Sequence, residues 1–247
     1  MNRRRFVALS AVTSASITGC LSLVSGSETH ERRVQSTTST LERPNQSDAV
    51  DEDVFSTYVN SMREHREYGE TGIWGTAQER PTDAYAHVGA LTETRHHDND
   101  TVSNHALAVY ALGDDETERQ HQCWLWSGFD VSEADEALTG ISIEFDALSD
   151  GITIGTYAPR QTVDADETGQ YSLDIEDAGG GLSSAFPLRD GTVEVDDEGT
   201  EAGPGGSVRV RWTGTETERY ALGTTFEATW DTEGTWDFSW TVTGTFS

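Results

Sequence analysis

Apolar and polar residues alternate one for one over much of the chain. Trp236, Phe238, Trp240 and Val242 alternate with Asp237, Ser239, Thr241 and Thr243. Val208, Val210 and Trp212 alternate with Arg209 and Arg211. Phe226, Ala228 and Trp230 keep the same spacing, as do Tyr171, Leu173 and Ile175, and Ile141, Ile143 and Phe145. Successive side chains of a strand point to opposite faces, so each run predicts a strand with one dry and one wet face, the habit of antiparallel sheet. Gly- and Asp-rich turns part the runs, and Gly199 to Gly206 reads as a longer loop. The expected fold is therefore all-β, an antiparallel β-sandwich of about nine to eleven strands, with a barrel as the less favoured closure. No fixed-period repeat argues for a solenoid or propeller.

One segment keeps helical spacing. Phe55, Tyr58, Val59 and Met62 fall on one face of a helix expected over 51–68, with Asp51 as cap and Gly69 as stop. This helix leads a single sandwich domain expected over 51–247. Residues 20–50 are rich in Ser and Thr, contain Pro44 and lack apolar periodicity, and read as a flexible tether. A flexible stretch of about 30 residues has a typical reach of about 30 Å.

The start of the chain carries different information. Arg3, Arg4 and Arg5 precede an apolar stretch from Phe6 to Ile17, diluted by Ser10, Thr13, Ser14 and Ser16. About 20 predominantly apolar residues are needed to span a bilayer, so this segment reads as a removable signal peptide over 1–19. The paired arginines Arg3 and Arg4 before Phe6-Val7 resemble a twin-arginine export signal. Ile17-Thr18-Gly19-Cys20 resembles a lipobox. That resemblance implies a lipid on the Cys20 thiol, cleavage before it, and a membrane anchor on the extracellular face. A twin-arginine route implies export in the folded state.

Charge sharpens this reading. The chain has 44 acidic residues and 16 basic ones, all of the latter arginine. Loss of residues 1–19 removes three arginines and no acid, taking the net charge from −28 to −31. Self-repulsion of that size is quenched only in concentrated salt, where the Debye length falls to about 3 Å at 1 M. Carboxylates in place of lysine resemble the proteins of extremely halophilic archaea. The same charge excludes nucleic acid as a partner, because no basic stripe is present to neutralise phosphates. It also disfavours adhesion to anionic headgroups, so membrane attachment rests on the lipid at Cys20.

Candidate chemistry is sparse. Asn45 and Asn99 head N-glycosylation sequons, and Asn99 falls in an expected turn. With Cys20 lipidated, Cys123 is left alone and reads as a small buried apolar group. His87, His96, His97, His105 and His121 bunch in sequence, which raises the question of a metal site. A meander with turns centred near 99–100 and 115–116 sets Tyr110 opposite Gly89 and His121. It puts His87 on the face of His121 two strands away, about 10 Å or more, and His105 on the opposite face. No shared metal, and no cofactor, is expected on that register. The turns at 97–100, 164–167 and 196–198 supply two or three oxygens each, where calcium takes six to eight. The seven tryptophans read mainly as core, with a sugar-stacking platform as the alternative. Nucleophile elbow, zinc-protease, phosphate-loop and dinucleotide motifs are all missing from the sequence. The function expected is a non-catalytic binding or envelope-interaction module, with a glycan or envelope protein as partner. The alternatives are a secreted glycan-active hydrolase on the same scaffold or a purely structural surface protein.

Overall fold

The computed structural model describes residues 30–38, 49–69, 71–75, 85–112, 118–175, 182–231 and 238–247. The fold is all-β, with fourteen strands and one α-helix among these residues. The strands are β1 (His30–Thr38), β2 (Tyr85–His96), β3 (Val102–Leu112), β4 (Glu118–Asp130), β5 (Leu138–Ala147), β6 (Ile152–Ala158) and β7 (Val163–Asp164). They continue as β8 (Gln170–Ile175), β9 (Leu182–Pro187), β10 (Thr192–Val195), β11 (Gly203–Pro204), β12 (Ser207–Glu216), β13 (Arg219–Asp231) and β14 (Phe238–Phe246). Two six-stranded antiparallel sheets form the sandwich. Sheet A has the order β1-β14-β5-β12-β10-β7, and sheet B the order β11-β6-β13-β4-β3-β2. The hairpin β8-β9 is a separate two-stranded sheet.

The alternation of the sequence becomes the core directly. Along β14 the odd-one-out pattern of burial runs without a break from Phe238 to Phe246. Trp240 and Val242 of β14, Ile141, Ile143 and Phe145 of β5, and Val208, Val210 and Trp212 of β12 form the inner face of sheet A. They meet Leu125 and Phe129 of β4 and Tyr220 and Phe226 of β13. The rings of Phe145 and Phe226 lie 4.6 Å apart, and those of Trp212 and Tyr220 4.2 Å. Ring pairs at such separations add about 0.5–1.5 kcal/mol each beyond the area they bury.

Sheet B is covered on its outer face as well. Helix α1 (Glu52–Arg63) is capped by Asp51, whose side chain accepts from the Val54 N–H at 2.9 Å. It buries Phe55, Val59 and Met62. It ends at Arg63, and a separate 3-10 turn over Arg66–Tyr68 completes the segment expected to be one helix. A second 3-10 turn, Gly72–Trp74, lies on Trp124, whose Nε1 donates to the Ile73 carbonyl at 3.0 Å. The β8-β9 hairpin adds Phe186, 5.9 Å from Trp124. Gly223 of β13 lets it come close, since a Cβ there would stand 3.0 Å from the Phe186 ring.

Two expectations are corrected. Residues 30–38 are not tether. They form β1, paired with β14 over its whole length from His30↔Phe246 to Thr38↔Phe238. The apolar pattern could not announce this strand, because its sequence carries no apolar alternation. Without β1 and the two-residue strands β7 and β11, eleven strands remain, within the range expected. The register of the β2-β3-β4 meander is also different. Tyr110 pairs with His87 and Gln122, and a bulge between His87 and Gly89 absorbs the extra residue. A one-residue slip turns every side chain to the other face. His105 and His121 therefore share the inner face, and His87 lies on the outer one against Phe55.

Candidate functional site

The outer face of sheet A carries polar side chains with no helix or hairpin among the described elements lying over it. Its residues follow from the strand pairings. One row across the sheet reads Thr243, Ser142, Arg211, Glu194, and the next reads Thr245, Gly140, Thr213, Thr192. Thr241, Glu144 and Arg209 form a third. Between these rows lies an open groove of about 580 Å³ lined by Thr139, Gly140, Ser142, Glu144, Arg209, Arg211, Thr213, Thr243 and Thr245, among others. Gly140 makes its floor, because a Cβ there would meet the Trp212 carbonyl at 3.3 Å and Thr245 Oγ1 at 3.4 Å.

Ion pairs hold the groove wall in place. Arg209 donates to Glu144 and, at 3.4 Å, to Asp196. Arg211 lies 3.5 Å from Asp196 and 3.7 Å from Glu194, with its side chain 46% exposed. These distances exceed a good charge-assisted bond, so the Arg211 guanidinium retains donors for a ligand. Burial, then the nearby Glu144, raise the Asp146 carboxyl, against the bond from Ser239 and the field of Arg209. Hydroxyls, a guanidinium and a carboxylate around an open polar trough can hydrogen-bond a hydroxyl-rich ligand. They do not make an apolar pocket.

A second constellation lies in the core. His97 Nε2 stands 2.8 Å from Ser103 Oγ, which is 3.0 Å from His105 Nε2. His105 Nδ1 is 3.1 Å from Ser127 Oγ. A serine between two imidazoles has the look of nucleophile and base. Ser103, Ser127 and His105 are all buried, however, so a substrate carbonyl has no approach to Ser103 Oγ. Burial, helped by the fields of Arg95 and His97, lowers the His105 pKa to about 3 and keeps the ring neutral.

The expected site residues distribute as follows. Arg3, Arg4, Cys20 and Asn45 lie outside the described residues. Asn99 is in the β2-β3 turn, as expected, yet only half-exposed. Its Nδ2 donates to Glu136 at 3.1 Å, and its partner in the sequon, Thr101, is fully buried. Both ends of that sequon are tied into the fold. Cys123 is buried, and burial pushes its thiol pKa up, so the thiolate that reacts is suppressed. Trp74, Trp124, Trp126, Trp212 and Trp240 are core, while Trp236 and the Trp230 side chain lie outside what is described. The acidic turns at 164–167 and 196–198 spend oxygens on the chain itself. Asp164 accepts from Asp166 N–H, and Asp196 from Glu198 and Gly199 N–H and from Arg209. Among the described residues no three His, Cys, Asp or Glu side chains converge as metal ligands.

The alternation marks Ser142, Glu144, Arg209 and Arg211 as wet-face residues, but not that β5 and β12 are neighbours. Nor does it mark the pairing of Ser103 with two histidines. Its signal is Ser103-x-His105 on one strand face with His97 just across the turn. Models of known protein families give no match to the sequence, and a comparison with curated proteins gives none either.

Proposed function

We propose that the protein is an extracellular, lipid-anchored surface module of a halophilic archaeon that binds an envelope saccharide in the groove of sheet A. The observation that carries the binding reading is the unequal treatment of the two sheets. Sheet B is roofed by α1, the 3-10 turns and the β8-β9 hairpin, while among the described residues no element lies over the polar trough of sheet A. A purely structural sandwich has no need of such a trough. Binding is favoured over catalysis because the serine–histidine pairs are sealed in the core.

The anchor and the medium rest on sequence. Cys20 in its lipobox supplies the attachment, and Arg3 and Arg4 the export signal. Nine residues lie between Cys20 and His30, the first residue of β1. At about 3.5 Å per residue, the ten steps from Cys20 to His30 reach at most about 35 Å. With Cys20 lipidated, this bounds the distance of the β1-β14 edge of sheet A from the anchor. The net charge of −28 and the absence of lysine support a salt-rich medium. No described helix is long and apolar enough to cross a membrane.

The test is capture of envelope polysaccharide by the mature chain in molar salt, with Gly140→Leu as comparison. Saccharide bound by the wild type and lost in Gly140→Leu supports the reading. Equal capture by both, or none by the wild type, removes the groove as the site, and cleavage of the captured sugar makes the protein a hydrolase instead.

A further inference from the structure

We propose that His97, Ser103, His105 and Ser127 form a proton-ordering chain that transmits the protonation state of the half-exposed His97 to the tautomer of the buried His105. This goes beyond the binding function and is independent of it.

The geometry restricts how protons can be placed. Four groups are joined end to end by contacts of 2.8, 3.0 and 3.1 Å. A hydroxyl has one proton to donate, and a neutral imidazole has one N–H and one acceptor nitrogen. With His97 neutral and its Nε2 accepting, the Ser103 hydroxyl donates to His97. Ser103 Oγ then accepts from His105 Nε2–H, and His105 Nδ1 accepts from Ser127. A protonated His97 reverses the order. Its Nε2–H donates to Ser103, Ser103 donates to His105 Nε2, and the His105 proton sits on Nδ1, donating to Ser127. The proton taken from solvent resides on His97. The other three groups keep the number they held: the His105 proton changes nitrogen, and the Ser103 and Ser127 hydroxyls turn their protons away from the atoms they faced before.

The surroundings keep His105 a relay of order rather than of charge. The core rings on it are uncharged: Phe129 of β4, 5.8 Å away, and Trp240 of β14, 6.2 Å away. From α1 the Tyr58 hydroxyl donates to the His105 carbonyl at 3.1 Å, and burial raises its pKa, so it stays protonated. The charged groups acting on His105 are Arg95 and His97, both unfavourable to a second positive charge. Arg95 is itself paired with Glu93 at 2.7 Å, and the turn bearing His97 reaches Glu136 through Asn99. The only end of the chain open to solvent is therefore His97.

The experiment is nitrogen NMR of the histidine-labelled mature chain in molar salt, titrated downward from neutral pH. The expected result is that the two His105 ring nitrogens exchange their protonated and unprotonated signatures with the same midpoint as His97. In Ser103→Ala, His97 should still titrate while His105 no longer follows. If that variant does not fold, His97→Gln replaces it and should leave a His105 tautomer that ignores pH. A fixed His105 tautomer through the titration of His97, a His97 that does not titrate in the folded chain, or a response that persists in either variant overturns the proposal.

Discussion

Acid should unfold this protein earlier than its carboxylates require, because of His105. The ring is ordinarily half-protonated near pH 6.5 and in the fold only at about 3. Below the unfolded value the unfolded chain binds the extra proton and the native chain does not. Stability conferred by the neutral ring is therefore complete above about pH 6.5 and falls as pH drops toward 3. Each unit of difference is worth about 1.4 kcal/mol, so lowering the pH from 7 to 5 should cost about 2 kcal/mol from this one residue. That window lies above the range where most carboxylates titrate. His87, lowered by burial against the fields of Glu52 and Asp51, works in the same direction. Asp146, with its raised pKa, works in the opposite one. The assay is urea unfolding at pH 7 and pH 5 in constant molar salt, followed by fluorescence of the buried tryptophans. His105→Gln keeps a hydrogen-bonding side chain but cannot titrate. The wild type should lose about 2 kcal/mol more than this variant between the two pH values. An equal loss in both proteins would refute the argument, because the pH dependence would then reside elsewhere.

Other outcomes follow from the same structure. Melting of the mature chain should rise steeply from about 0.1 M to several molar salt as screening shortens from about 10 Å to below 3 Å, and a constant melting temperature would contradict the halophilic reading. Glycan occupancy by peptide mass spectrometry should be low at Asn99, whose sequon is folded in, relative to Asn45, and full occupancy at Asn99 would mean modification before folding. Gly223→Val should destabilise by about 1–3 kcal/mol through overpacking against Phe186, measured by urea unfolding, and a neutral result would show that the β8-β9 hairpin can lift off sheet B.

The sandwich was legible because alternation is a local signal. Phe238, Trp240 and Val242 had to share a face whatever strand lay beside them, and so did Val208, Val210 and Trp212. Strand neighbours are not local. The groove exists because β5 sits between β14 and β12, and nothing in 138–147 says which strands flank it. Register is more fragile still. The bulge at Val88 adds one residue that leaves no apolar trace, and the turn Asp98-Asn99-Asp100 is offset from the centre assumed, with Asp100 at φ 60°. The turn offset hid the contact of His97 with Ser103, and a one-residue slip between β3 and β4, which sets Tyr110 opposite Gln122, brought His105 and His121 to one face. Strand β1 was invisible for a further reason: His30–Thr38 has a single large aliphatic residue, Val34, too little to show an alternation.

The lipid anchor is tested most directly by the mass of the N-terminal peptide of the protein taken from cell membranes. The peptide should begin at Cys20 and carry a lipid on its thiol, and Cys20→Ser should release the protein into the medium. A peptide that begins upstream of Cys20, or a Cys20 without lipid in membrane-bound protein, would contradict it.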